Sequence, residues 1–322
     1  MMGTGFWRRL EQREANEIFD AFVEMGGNCF DTALHYGDNE ILFGNWMKAR
    51  NNRKKIVIHA KGAHHKIIHP PGTQFEYHCP RVNPDEIKRD IDETLRRLQT
   101  DFIDVFALHR DDADHPVGPI VECLAAEQKA GRIRASGTSN WNIARIEEAN
   151  ACAVAHGLPG FVSNSPNLAL AFPNEPSWPN CVTACDRFSR KWHANNGMPL
   201  LGWSSLALGF FSGQYRPIEQ LSDKEFRKLM SDRWTANVVR VYYSRRNFER
   251  LWRVQRLAEE LGVTPTQLAL AWVLHQGDHV LAIAGPCTVK ETKELFKAFE
   301  INLTAERLAW LNLEERDVNH DT

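Results

Sequence analysis

The chain has 322 residues, 43% hydrophobic and 25% charged, with a formal net charge of −2, a make-up that suits a globular protein with a well-buried core and gives no reason to expect nucleic acid or an anionic membrane surface as partner. No apolar run approaches the ~20 residues of a membrane span, and Arg8, Arg9, Glu11 and Arg13 stand where a secretory leader would be apolar. The seven cysteines are odd in number and scattered, which suits reduced thiols, so the chain reads as cytoplasmic with a small molecule as partner, a homo-oligomer remaining open.

In chain order, helical periodicity over Arg13 to Met25 leads to a short strand around Cys29-Phe30-Asp31, and a helix follows over Asn39 to Arg50. Ile56 to Ala60 is a buried strand, Pro84 to Leu98 a helix, Ile103 to Leu108 a strand, and Gly118 to Ala130 and Asn142 to His156 are helices. Phe161 to Ser163, Leu200 to Trp203 and Val280 to Ala284 are further strands; Phe248 to Leu261, Thr264 to His275 and Val289 to Phe299 are helices. Asn83-Pro84-Asp85-Glu86 and Thr264-Pro265-Thr266-Gln267 are chemically marked helix starts, and Gly131 and Gly262 are helix stops. Two irregular stretches interrupt the rhythm, Gly62 to Arg81 and Leu170 to Asn180.

Alternating strands and helices without a shift in composition point to one (β/α)8 barrel domain over residues 1–322, with active-site loops at about 62–81 and 170–180. No G-x-G-x-x-G turn follows an early strand, so a dinucleotide would be held by some other device.

Four residues lie at or just past the ends of strands, where a barrel gathers its chemistry: Asp31, Tyr36, Lys61 and His109. Reducing a carbonyl develops negative charge on oxygen and needs a proton donor. A tyrosine, at an ordinary pKa of ~10, is too weak alone. A neighbouring ammonium lowers that value, a carboxylate holds the ammonium, and a histidine orients the oxygen. Each residue also has a bland reading: an Asp-Thr pair as a helix cap, a solvated Lys, a packed Tyr or His.

These residues resemble the aldo-keto reductase family. The resemblance runs through Phe30-Asp31-Thr32-Ala33 with Tyr36-Gly37 and Glu40, Ala60-Lys61-Gly62, Arg96 to Val105 leading into Leu108-His109-Arg110, and Gly131 to Arg134 leading into Gly137-Thr138-Ser139-Asn140. It implies a TIM barrel and an NADP(H)- or NAD(H)-dependent reductase of an aldehyde, ketone or sugar carbonyl, with Tyr36 as proton donor. It also implies that Ser139, Asn140 and Asn164 meet the nicotinamide carboxamide and that Trp203 stacks on the ring. Ser204, Leu206, Leu208, Gly209 and Gly213 would wrap the pyrophosphate; Thr4, Gly5, Gly285, Pro286, Cys287 and Glu291 would complete the cofactor site. Phe6, Trp7, Arg110 and Trp141 are the candidate substrate contacts, with Trp178 and Trp234 as further pocket tryptophans.

Three features depart from the family pattern. The N-terminal hairpin and first strand look shortened or missing before Gly3-Thr4-Gly5; Glu291 and Leu295 stand where an arginine and an asparagine are usual; Ser165 stands where a glutamine is usual. A carboxylate at 291 would repel a 2′-phosphate whereas Lys290 and Lys293 would attract one, so NADH and NADPH both stay open. Arg110, Asp111 and Asp112 suit either a sugar-like substrate or a surface ion-pair network. His64, His65, His69, His78 and Cys79, and Cys181-x-x-x-Cys185, lack a strong zinc spacing, so no metal is assigned. The alternatives are a cofactor-binding regulatory subunit of the same family with little turnover, and a metal-dependent barrel hydrolase built on Asp31 and His109.

Overall fold

Runs of β-branched and apolar residues too short for a helix alternate with longer capped segments, and each run becomes a parallel strand. The computed structural model describes residues 1–4, 9–68 and 77–314. Gly5, Phe6, Trp7 and His69 lie outside these residues.

The first half contains β1 (Met2–Gly3), α1 (Gln12–Glu24), β2 (Cys29–Ala33), α2 (Asn39–Arg50), β3 (Val57–Gly62), β4 (Lys66–Ile68), β5 (Tyr77–Cys79), α3 (Pro84–Leu98), β6 (Ile103–Leu108), α4 (Val117–Lys129), β7 (Ile133–Ser139) and α5 (Ile143–Ala155). The second contains β8 (Phe161–Ser165), α6 (Arg187–Asn195), β9 (Leu200–Gly202), α7 (Asp223–Ser231), α8 (Arg233–Tyr242), α9 (Arg245–Leu261), α10 (Pro265–Leu274), β10 (Val280–Ala282), α11 (Val289–Phe296) and α12 (Ala305–Leu311).

Eight strands join in the order β1-β2-β3-β6-β7-β8-β9-β10, and each named pairing is parallel. β1 is short, as the sequence suggests, but present: Met2 pairs with Phe30 on one side and bridges Ala284 on the other. The Gly3 N–H donates to the Ala284 carbonyl at 2.8 Å and the Thr4 N–H to Asp31 at 3.1 Å, so two residues close the (β/α)8 barrel.

Side chains alternate along each strand, and the alternation separates packing from chemistry. Phe30 packs outward among Phe19, Phe22, Phe43 and Trp46 of α1 and α2, whereas its neighbour Asp31 turns inward to meet Lys61. The caps act as their sequence suggests: Asn83 accepts the Glu86 N–H, and Thr264 and Gln267 form a reciprocal capping box.

The stretch from 62 to 81 is not wholly irregular. It contains the antiparallel pair β4–β5, whose strands of three residues are too short to show a period. Helices α6, α7, α8 and α12 and strand β7 are additional to the elements expected from sequence, and α9 starts at Arg245 because Ser244 caps it. No helix among the described residues is long and apolar enough to cross a membrane.

Candidate active site

Strands β2 and β3 lie in parallel register with Asp31 opposite His59 and Ala33 opposite Lys61, so three inward polar side chains meet within two rungs. Lys61 Nζ donates to both Asp31 oxygens, at 2.6 and 2.7 Å, and His59 Nδ1 lies 2.8 Å from Oδ1. The pair is almost free of solvent, with Lys61 1% and Asp31 2% exposed. Burial is the largest influence on Asp31 and raises its pKa, yet Lys61 and His59 together hold it below the ordinary value. Burial likewise lowers Lys61, and Asp31 and Tyr36 outweigh it, so the ammonium keeps its proton. A buried pair of this kind adds little net stability relative to an apolar core. Its retention points to chemistry.

Tyr36 sits in the turn after β2, where its N–H donates to the Ala33 carbonyl at 2.9 Å and Arg97 of α3 holds the Gly37 carbonyl at 3.0 Å. Gly37 has φ 65°, in the left-handed region that glycine adopts without strain. The Tyr36 hydroxyl is hydrogen-bonded to Lys61. Burial, the largest influence, leaves the Tyr36 pKa above its ordinary value, against the expected lowering; Lys61 pulls it down without outweighing burial. The hydroxyl therefore carries its proton across the neutral range.

His109 follows β6, its N–H donating to the Gly62 carbonyl at 2.7 Å and its ring edge-on to Tyr36 with centroids 5.7 Å apart. Burial first, then His64, Arg110 and Lys61, push its pKa well below the ordinary value, so the imidazole is neutral. His64 stacks on His35 at 3.8 Å between centroids and lies 4.8 Å from the His109 ring. Burial, with Arg110 and His35, lowers His64 to about 2. The result is a cluster of uncharged histidine rings, of which His109 meets the tyrosine.

On the opposite rim, Ser139 Oγ donates to the Ser165 carbonyl at 2.8 Å, and Asn140 Nδ2 donates to Ser139 Oγ at 3.0 Å and to the His109 carbonyl at 3.3 Å. Trp203 Nε1 donates to Asn140 Oδ1 at 3.2 Å, and its half-buried ring lies 5.6 Å from that of Trp178. The loop beyond carries positive φ at Ser204, Ala207, Leu208, Gly209 and Gly213. Trp234 Nε1 ties the Leu208 carbonyl at 3.2 Å. Further round, Glu291 is exposed on α11 and accepts the Cys287 N–H at 2.7 Å, which fixes the turn after Gly285 and Pro286. Thr4 is buried, bonded to Thr32 through its hydroxyl at 3.3 Å.

Several expected contacts are corrected. Trp141 is 1% exposed, packs on Phe161 and donates to the Arg110 carbonyl at 3.0 Å, so it is core and not a substrate wall. Arg110 is buried with Nη1 on the His109 carbonyl at 2.8 Å, while Asp111 pairs instead with Arg145 of α5 at 3.4 Å. The Asn164 amide is engaged by Thr138, the Trp141 carbonyl and His193 of α6. Sequence reasoning passed over His59 and His35; two-residue periodicity from Lys61 would have flagged His59, whereas the His35–His64 stack is a loop contact without a sequence signal. Among the described residues no group of three or more His, Cys, Asp or Glu is placed to hold a metal ion.

Residues 1–312 match the aldo/keto reductase family model. The chain is 28% identical over 295 residues to an NADP(+) aldo-keto reductase, yakc, of Schizosaccharomyces pombe, covering 90% of this chain and 79% of that protein. It is 25% identical over 324 residues to an NADP(+) aryl-alcohol dehydrogenase of Phanerodontia chrysosporium, covering 97% and 77%. An aldo-keto reductase from Klebsiella pneumoniae, solved with NADPH, superposes with a TM-score of 0.68 at 22% identity, covering 97% of this chain and 89% of that one. The chain belongs to the aldo/keto reductase family, and is by that membership an oxidoreductase.

Proposed function

We propose that this protein reduces a planar aldehyde or ketone carbonyl, and oxidises the matching alcohol, with Tyr36 as the proton donor and acceptor. The observation that carries the reading is the unbroken contact from the Tyr36 hydroxyl through Lys61 to Asp31, beside a neutral His109. A nicotinamide dinucleotide, when bound, supplies or takes the hydride. Its fit rests on the residue types gathered at the rim: Ser139 and Asn140 for a carboxamide, Trp203 for a ring face, and a 204–213 loop whose left-handed residues are of the kind that form anion-binding concavities. NADP(H) is supported by the names of the two relatives and by Lys290 and Lys293 flanking Glu291, whose carboxylate is engaged by the Cys287 amide.

As charge develops on the substrate oxygen, Tyr36 Oη releases its proton and the Lys61 ammonium stabilises the phenolate left behind. Asp31 keeps Lys61 charged, and the neutral His109 ring offers an N–H to the oxygen. The uncharged aromatic rings of His35, His64 and His109 near Tyr36 suit an aromatic carbonyl better than a polyol, in agreement with the aryl-alcohol relative.

Titrating NADPH and NADH by fluorescence quenching, then assaying aryl aldehydes, simple aldehydes and aldoses, tests the proposal. NADPH binding with turnover fastest on aryl aldehydes is expected. Tight cofactor binding without turnover on any carbonyl would instead favour a regulatory subunit.

A further inference from the structure

Asp31 is shared by two donors. His59 stands two residues before Lys61, so both occupy the inward face of β3, and the rung partner of His59 on β2 is Asp31 itself. The His59 and Asp31 side chains are 1% and 2% exposed, and Nδ1 lies 2.8 Å from Oδ1 while Lys61 holds both carboxylate oxygens. An ionised carboxylate only accepts hydrogen bonds, so Nδ1 carries the hydrogen and donates it. Nε2 is buried and finds no partner among the described residues, the setting of a bare nitrogen on a neutral ring. Burial, the largest influence, holds His59 below its ordinary pKa in agreement with that assignment.

We propose that His59 is a positioning residue for the reaction: a neutral donor that fixes the Asp31 carboxylate and offsets part of its charge, so that Lys61 acts on Tyr36 undiminished. The inference rests on the reading of Tyr36, Lys61 and Asp31 given above. Three donor contacts fix the carboxylate plane and hence the direction of the Lys61 ammonium. Without His59, Asp31 is a freer and fuller counter-charge to Lys61. Asp31 itself raises the Tyr36 pKa, so removing the donor moves Tyr36 further up. Among the described residues the groups that face this set are Cys29 and Asp31 on β2, Lys61 on β3, Tyr36 after β2, His109 and Arg110 after β6, and the Met1 amino group beside β1.

Replacing His59 with Leu removes the donor, and replacing it with Asn keeps an N–H near the place of Nδ1. His59→Leu is expected to lower kcat about ten-fold, the scale of one hydrogen bond to a charged group. It should also move the basic limb of the reduction profile to higher pH and leave cofactor affinity unchanged. His59→Asn should recover most of kcat and the original limb. Wild-type kcat and limb in the Leu variant, or equal losses in both variants, would overturn the inference. Imidazole nitrogen NMR on the wild-type protein decides independently if the Leu variant does not fold. A hydrogen on Nδ1 and a bare Nε2 are expected from about pH 6 to about pH 9; a hydrogen on Nε2 contradicts the proposal. Tyr36→Phe, measured alongside, keeps the two readings distinct: if it loses turnover and His59→Leu does not, only this inference fails.

Discussion

Burial and local charge act on individual residues in opposite directions, and their balance sets each protonation state. Tyr36 is kept protonated by burial against the pull of Lys61, which suits a donor that must still hold its proton when the substrate arrives. Glu40, in the first turn of α2, is fully buried: Thr94 donates weakly to Oε1 at 3.4 Å, and Oε2 finds no partner among the described residues. Burial, only partly countered by Arg97 and Thr94, raises its pKa from 4.5 to about 8. A carboxyl raised on folding contributes stability that is complete below about pH 4.5 and is lost as pH climbs through about 8. Glu40→Gln removes that titration. Its Tm should fall less than the wild type's between pH 6 and pH 9, ending about 2–4 °C above it at pH 9, and parallel curves in scanning calorimetry would contradict the assignment.

At the scale of elements, α2 and α3 approach each other at Gly44, where an added Cβ would stand 2.5 Å from the Arg97 carbonyl oxygen and 2.9 Å from Leu98 Cα. These are backbone atoms, and they cannot move aside without shifting α3. Gly44→Ala should therefore destabilise by about 1–3 kcal/mol in urea titrations, although alanine is the better helix former. An unchanged midpoint would mean that the helices slide apart freely. Elements of this kind were legible in the sequence: α2 and α3 coincide with their expected bounds because caps and apolar spacing agree. Helix α6 was not, since His193 is its one buried residue and no apolar stripe marks it. Helix α7 has no buried residue at all, and its capping box at Ser222 and Glu225 was its only clear signal.

The barrel as a whole brings Asp31, Tyr36, Lys61 and His109 from the ends of three strands to one mouth, through closure by a strand of two residues. That convergence was legible because buried runs such as Ile103 to Leu108 mark where strands end, and a barrel fixes where strand ends lie. β1 carries no periodicity, and the partners of Trp141, Arg110 and Asn164 are set by loops and helices packed from distant parts of the chain, which a linear reading cannot supply. The buried Lys61–Asp31 pair joins the two scales: costly as packing, it is oriented at one hydroxyl. The direct test is Tyr36→Phe, assayed for carbonyl reduction alongside cofactor binding by fluorescence quenching. The account predicts that kcat falls by about a thousand-fold or more while the dissociation constant for the cofactor stays within about two-fold. Retained turnover in the phenylalanine variant would contradict it.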